Sequence, residues 1–194
     1  MKNRYKVLDS LPPYGPMYIP IAADGKQFYS EGFVVRFYRL DTTEWVANFE
    51  LGGTRLREVI EFNNTSNLLI IADGTCYMMD PECSVPLFVF GGDYSKVIIT
   101  EDQKFVLQNS IGLTIVEPNG TYWHSQRISW DGLADIMIDN GIVKGLSYDP
   151  THDADEWVEF SYDVNSKELI GGSYNRSGFY HSQSMKKKPW WKLW

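Results

Sequence analysis

The sequence predicts an all-β chain of four antiparallel units, each about 40 residues long and four-stranded. Three observations predict it. Glycine punctuates the chain at a nearly constant period: Gly52-Gly53, Gly91-Gly92, Asp131-Gly132 and Gly171-Gly172 follow one another at intervals of about 40 residues. Apolar runs recur at matching offsets between these pairs, and turn residues recur at one place in every unit. A fixed period of about 20 to 50 residues marks a repeat architecture.

The elements follow in order. First strands fall at Met17-Tyr18-Ile19, Val59-Ile60-Glu61-Phe62, Val97-Ile98-Ile99 and Ile136-Met137-Ile138, at the same period as the glycines. A polar break closes each, at Ala23-Asp24-Gly25, Asn63 to Ser66, Glu101-Asp102 and Asp139-Asn140-Gly141. Second strands are expected at Phe28-Tyr29, Leu68 to Ala72, Phe105-Val106-Leu107 and Ile142-Val143, and third strands at Phe33 to Leu40, Cys76 to Met79, Leu113 to Val116 and Trp157 to Tyr162. Every third strand ends at a tight turn: Asp41-Thr42-Thr43, Asp80-Pro81-Glu82, Glu117-Pro118-Asn119-Gly120 and Asp163-Val164-Asn165-Ser166. Asp and Asn side chains bond their own backbone two residues on, proline presets φ, and glycine supplies positive φ. Fourth strands close the units at Trp45 to Phe49, Leu87 to Phe90, Tyr122 to Ile128 and Glu168 to Ile170.

The runs are short, rich in Val, Ile, Phe, Tyr and Trp, and bounded by Gly, Asn, Asp and Pro, the signal for strands joined by hairpins. Val158, Phe160 and Tyr162 alternate with Glu159, Ser161 and Asp163, as a strand with one wet face should. The nearest helix candidate, Thr54 to Phe62, is brief, and Val59-Ile60 followed by Phe62 fits a strand better.

Four strands per unit, four times over, resembles the blade pattern of β-propellers across residues 12 to 172. The resemblance rests on spacing and turn chemistry. The Gly-His and Trp-Asp signature of WD40 blades is absent, and Ser129-Trp130-Asp131-Gly132 misses the spacing of a sialidase-type Asp box. The alternative arrangement is a β-meander folded into a sandwich. Residues 1 to 185 read as a single all-β repeat domain, and residues 186 to 194 as a basic, Trp-rich tail.

Net charge is −7, but Lys186, Lys187, Lys188 and Lys192 lie in the last nine residues, so residues 1 to 185 hold 14 basic against 25 acidic side chains, a net of −11. An acidic body argues against nucleic acid, whose phosphates need clustered Lys and Arg. It suits a basic macromolecular partner. No stretch has the roughly 18 or more apolar residues of a membrane span. Met1-Lys2-Asn3-Arg4-Tyr5 leads into no apolar run, so no signal peptide is expected. Two cysteines, Cys76 and Cys83, make no disulfide framework, which points to the cytosol.

Three places could do chemistry. Asp149-Pro150-Thr151-His152-Asp153-Ala154-Asp155-Glu156 packs four carboxylates and an imidazole into eight residues, and lengthens the fourth unit where the others have short hairpins. Its alternation is only Asp153 and Asp155, without the glycine and distal Glu of a calcium loop, so Asp149, His152, Asp153, Asp155 and Glu156 read as partner contacts and no metal is expected. Among His124, His152 and His181 no metal-type pair occurs, Cys76 has no nucleophile signature, and phosphate-binding glycine loops are missing. No cofactor is expected. In the tail, Trp190, Trp191 and Trp194 stand beside four lysines; such residues favour either docking on the body or a weak membrane-surface contact, and docking is preferred.

The expected function is a non-catalytic protein-binding module. It resembles the immunity-type inhibitors of bacterial toxins in being small, acidic, cytosolic and without a catalytic set, an analogy independent of fold. The alternatives are a small-molecule or carbohydrate binder using exposed aromatics such as Trp45, Trp123 and Trp157, and a hydrolase of unrecognised type.

Overall fold

A computed structural model of the chain describes residues 4–15, 17–150 and 155–175. Among them sixteen strands form four four-stranded sheets. Sheet 1 holds β1 (Tyr5–Leu8), β2 (Ile19–Ile21), β3 (Phe33–Tyr38) and β4 (Glu44–Phe49). Sheet 2 holds β5 (Arg57–Glu61), β6 (Leu68–Ala72), β7 (Thr75–Met79) and β8 (Phe88–Gly91). Sheet 3 holds β9 (Lys96–Ile99), β10 (Phe105–Gln108), β11 (Leu113–Val116) and β12 (Tyr122–His124). Sheet 4 holds β13 (Leu133–Asp139), β14 (Ile142–Pro150), β15 (Asp155–Asp163) and β16 (Leu169–Gly171).

Sheets 2, 3 and 4 are antiparallel meanders in chain order, as the repeat predicts. Sheet 1 departs from the pattern, running β1-β3-β4-β2 with β2 parallel to β4. Phe28-Tyr29, expected as its second strand, forms none, and Tyr29 is exposed. Parallel neighbours cannot be joined by a tight hairpin, so the chain makes an excursion between β2 and β3. Asn48 fastens it: its Oδ1 accepts from the Gly32 N–H at 2.7 Å and its Nδ2 donates to the Ser30 carbonyl at 2.9 Å. The vacated edge is taken by β1, which pairs with β3 from Tyr5↔Phe37 to Leu8↔Val34.

Strand residues alternate between two faces, and three cores lie between successive sheets. On the inner face of sheet 1, the large Phe33, Phe37, Trp45 and Phe49 stand with the smaller Val35 and Ala47, and together they meet Leu68, Ile70, Tyr77 and Met79 of sheet 2. Sheet 2 spends both faces. Leu68, Ile70, Ala72, Tyr77 and Met79 face sheet 1, while Leu69, Ile71, Cys76 and Met78 face sheet 3. On sheet 3, Phe105, Leu107 and Val116 complete that second core, and Val106, Leu113 and Ile115 turn to sheet 4, where Ile136, Val143, Phe160 and Tyr162 form the third. Among the described residues, none of the three cores joins sheet 4 to sheet 1. Each buried Leu, Ile or Phe contributes about 1.5–3 kcal/mol of transfer free energy, so these interfaces hold the stack together.

The glycine period has a steric cause. At Gly91 φ is +75°, and a Cβ there would lie 2.2 Å from the Tyr94 ring. At Gly52 a Cβ would lie 2.5 Å from the carbonyl oxygens of Asp73 and Gly92. These are the points where the chain leaves one sheet for the next, and only glycine lets the backbones approach so closely. Polar links cross the same boundaries: Tyr77 donates to the Glu50 carbonyl at 2.9 Å, Thr54 to the Tyr94 carbonyl at 2.6 Å, and Gln108 to the Leu133 carbonyl at 2.9 Å. Cys76 is buried and Cys83 exposed, both as free thiols. No helix among the described residues is long and apolar enough to cross a membrane.

Candidate functional site

The negative charge is concentrated in one unit. Residues 131 to 168 hold ten acidic and two basic side chains, a net of −8, whereas the rest of the chain holds fifteen acidic and sixteen basic, a net of +1. Of these, Asp135, Asp139, Asp149, Asp155, Glu156, Glu159 and Asp163 lie on β13 to β15 of sheet 4, against Lys144, a net of −6 on the strands.

From that sheet a hairpin projects. β14 and β15 pair over nine positions, from Ile142↔Asp163 to Pro150↔Asp155. Their neighbours stop sooner: β13 reaches only Ser147 of β14, and β16 reaches only Phe160 of β15. Tyr148 to Pro150 and Asp155 to Trp157 therefore extend past both flanking strands. A two-stranded ribbon is marginal alone, and its base is tied down by three buried serines. Ser173 Oγ donates to the Tyr148 carbonyl at 2.6 Å, Ser129 Oγ to the Gly132 carbonyl at 2.7 Å, and Ser147 Oγ to the Val158 carbonyl at 3.0 Å.

Tyr148 and Trp157 are directly paired across the ribbon, with ring centroids 5.4 Å apart. Trp157 keeps 49% of its surface exposed. The Tyr148 phenol is hydrogen-bonded to Asp155, and that bond, ahead of desolvation, raises its pKa above the ordinary value. Beside the base, the Arg127 guanidinium lies over the rings of Tyr174 and Trp130, at 4.6 and 5.3 Å, and donates to the Ser129 and Trp130 carbonyls. Such stacking fixes a cation over aromatic faces.

Of the residues singled out in the sequence, Asp149, Asp155 and Glu156 sit on this projection. They lie on paired strands and not in a loop, because the strand alternation continues past the sheet edge; Asp149 is directly opposite Glu156. His152 and Asp153 lie outside the described residues, as do Trp190, Trp191 and Trp194 of the tail. Among the described residues no cluster of three or more metal-ligating side chains forms. Trp45, expected as an exposed ring, is 4% exposed; it stacks on Phe37 at 4.7 Å and donates its indole N–H to the Pro81 carbonyl at 2.9 Å. Trp123 is half-buried, its indole 3.3 Å from the Tyr162 hydroxyl and covered by Lys167. Only Trp157 of that trio is exposed.

Burial pushes the Cys76 thiol well up. Thr114 Oγ1 stands 2.8 Å from His124 Nδ1 and 2.5 Å from the Tyr94 hydroxyl, and Thr114 is 2% exposed. Sequence reasoning misses the three anchoring serines and the Tyr148–Trp157 pair. Apolar or aromatic residues on both sides of the acidic run are the available signal. No protein-family model matches the chain, and no curated protein matches it.

Proposed function

We propose that this chain is a non-catalytic binding module that captures a basic protein through the β14–β15 projection. The observation that supports it is a net charge of −6 on the strands of the sheet from which an anchored hairpin protrudes. Charge of one sign steers an opposite partner and sets register. Trp157, rigidly based and half-exposed, is the residue type that dominates interface energies. An inhibitor of a basic toxin in the cytosol is the role this chemistry fits best. The successive face-to-face sheets also support reading them as blades of a propeller-like array.

Affinity capture from the native host tests the proposal, using the wild-type chain and an Asp149→Asn, Asp155→Asn, Glu156→Gln variant. The expected outcome is a stoichiometric basic protein retained by the wild type and released by moderate salt, with the variant binding it more weakly and with a flatter salt dependence. Equal retention by both proteins would remove the projection from the interface.

A further inference from the structure

We infer that the outer face of sheet 4 is the docking site of the chain's own segment 186 to 194. The register places Met137, Lys144, Ser161 and Ile170 in one row across all four strands, with Ala134, Leu146 and Glu159 in the next row. The opposite face of the same sheet supplies Val143, Phe160 and Tyr162 to the core against sheet 3. Among the described residues, the outer face has no such cover. Met137 is 67% exposed and Ile170 65%, and the face forms a groove of about 600 Å³ whose charged lining is Asp135 and Glu159 against Lys144. That size falls in the usual range of ligand-sized clefts, about 300–1,000 Å³.

The tail supplies what this groove lacks. Trp190, Trp191, Leu193 and Trp194 offer apolar surface, and Lys186, Lys187, Lys188 and Lys192 offer charge opposite to a sheet whose strands carry a net of −6. A second copy seated face to face would bring two such acidic sheets together, and an anionic lipid surface would be repelled likewise. Reach is ample. The described chain ends at Asn175, just past β16 at the edge of this sheet. Lys186 lies eleven positions beyond Asn175, and a stretch of that length spans up to roughly 36–40 Å when extended, against about 15 Å for the width of four strands. Attachment also raises the effective concentration of the tail at the groove to the order of millimolar.

The test compares the full chain with one truncated after Met185, and needs no knowledge of the basic partner. Backbone hydrogen exchange over β13 and β16 is expected to be faster in the truncated chain. A synthetic peptide of residues 186 to 194 is expected to bind the truncated chain, and Met137→Lys with Ile170→Lys to weaken it by about tenfold or more, the scale of losing a buried apolar anchor. Both positions are mostly exposed, so circular dichroism should show the variant folded. Equal exchange in the two chains, or peptide binding indifferent to the two lysines, would overturn the inference. So would protection that rises with protein concentration, which marks a second copy, or protection that appears only with phosphatidylcholine–phosphatidylserine vesicles.

Discussion

Sheets 2 and 4 are the same four-stranded meander, yet their central hairpins have opposite surfaces. Every residue of β6 and β7 is buried. In β14 and β15 only Val143, Ser147, Phe160 and Tyr162 are, and the residues between them are partly or fully exposed. The difference lies in their neighbours: among the described residues, sheet 2 has one on each face and sheet 4 has one in all. A strand buried on both sides reads as a continuous apolar run, whereas one with a wet face alternates. A face that no other described sheet covers is what lets charge gather on sheet 4 without entering a core.

The largest test of this contrast is a pair of truncated side chains. Ile70→Ala, in a fully buried site, is expected to cost about 2–5 kcal/mol. Ile170→Ala, made in the chain ending at Met185, is expected to stay within about 0.5 kcal/mol. Urea denaturation checks both, and equal costs would mean that sheet 4 is covered on both faces.

A smaller effect sharpens the sheet 2 to sheet 3 boundary. Burial pushes the Tyr94 phenol up to about 12 from an ordinary value near 10. The unfolded chain then ionises first, so stability is expected to be intact below pH 10 and to fall as pH rises toward 12. Tyr94→Phe should cost about 1 kcal/mol at neutral pH through the lost Thr114 hydrogen bond and flatten part of the alkaline fall. An unchanged alkaline profile in that variant would assign the fall to other groups.

The smallest effect belongs to the projection. Asp149→Asn removes one of two directly opposed carboxylates and is expected to raise stability by a few tenths of a kcal/mol, more at low salt than at high. Thermal melts at two salt concentrations read it; a loss of stability would show that Asp149 supports the ribbon.

Much of this is legible in the sequence. The glycine period marks the crossings between sheets because steric crowding there tolerates no side chain. Hairpins β6–β7 and β10–β11 are visible because local turns join them. Sheet 1 is not, since β1 pairs with β3 across the whole intervening excursion and β2 pairs in parallel, and neither leaves a hairpin signal. Trp45 misleads because a tryptophan that follows a polar turn, here Asp41 to Glu44, looks the same whether its ring faces a core or water. Composition finds Asp149, Asp155 and Glu156, but the serines that anchor their ribbon act through backbone carbonyls brought together only by the fold.

The serial arrangement of the cores has a mechanical consequence. Each sheet is held by the interfaces it shares, so among the described residues detaching sheet 4 breaks one core and detaching sheet 2 breaks two. Such a stack behaves as a nearest-neighbour chain that frays from its ends. A load applied to the projecting hairpin falls on sheet 4 and the core it shares with sheet 3, so sheet 4 can peel away while the two cores behind it remain closed.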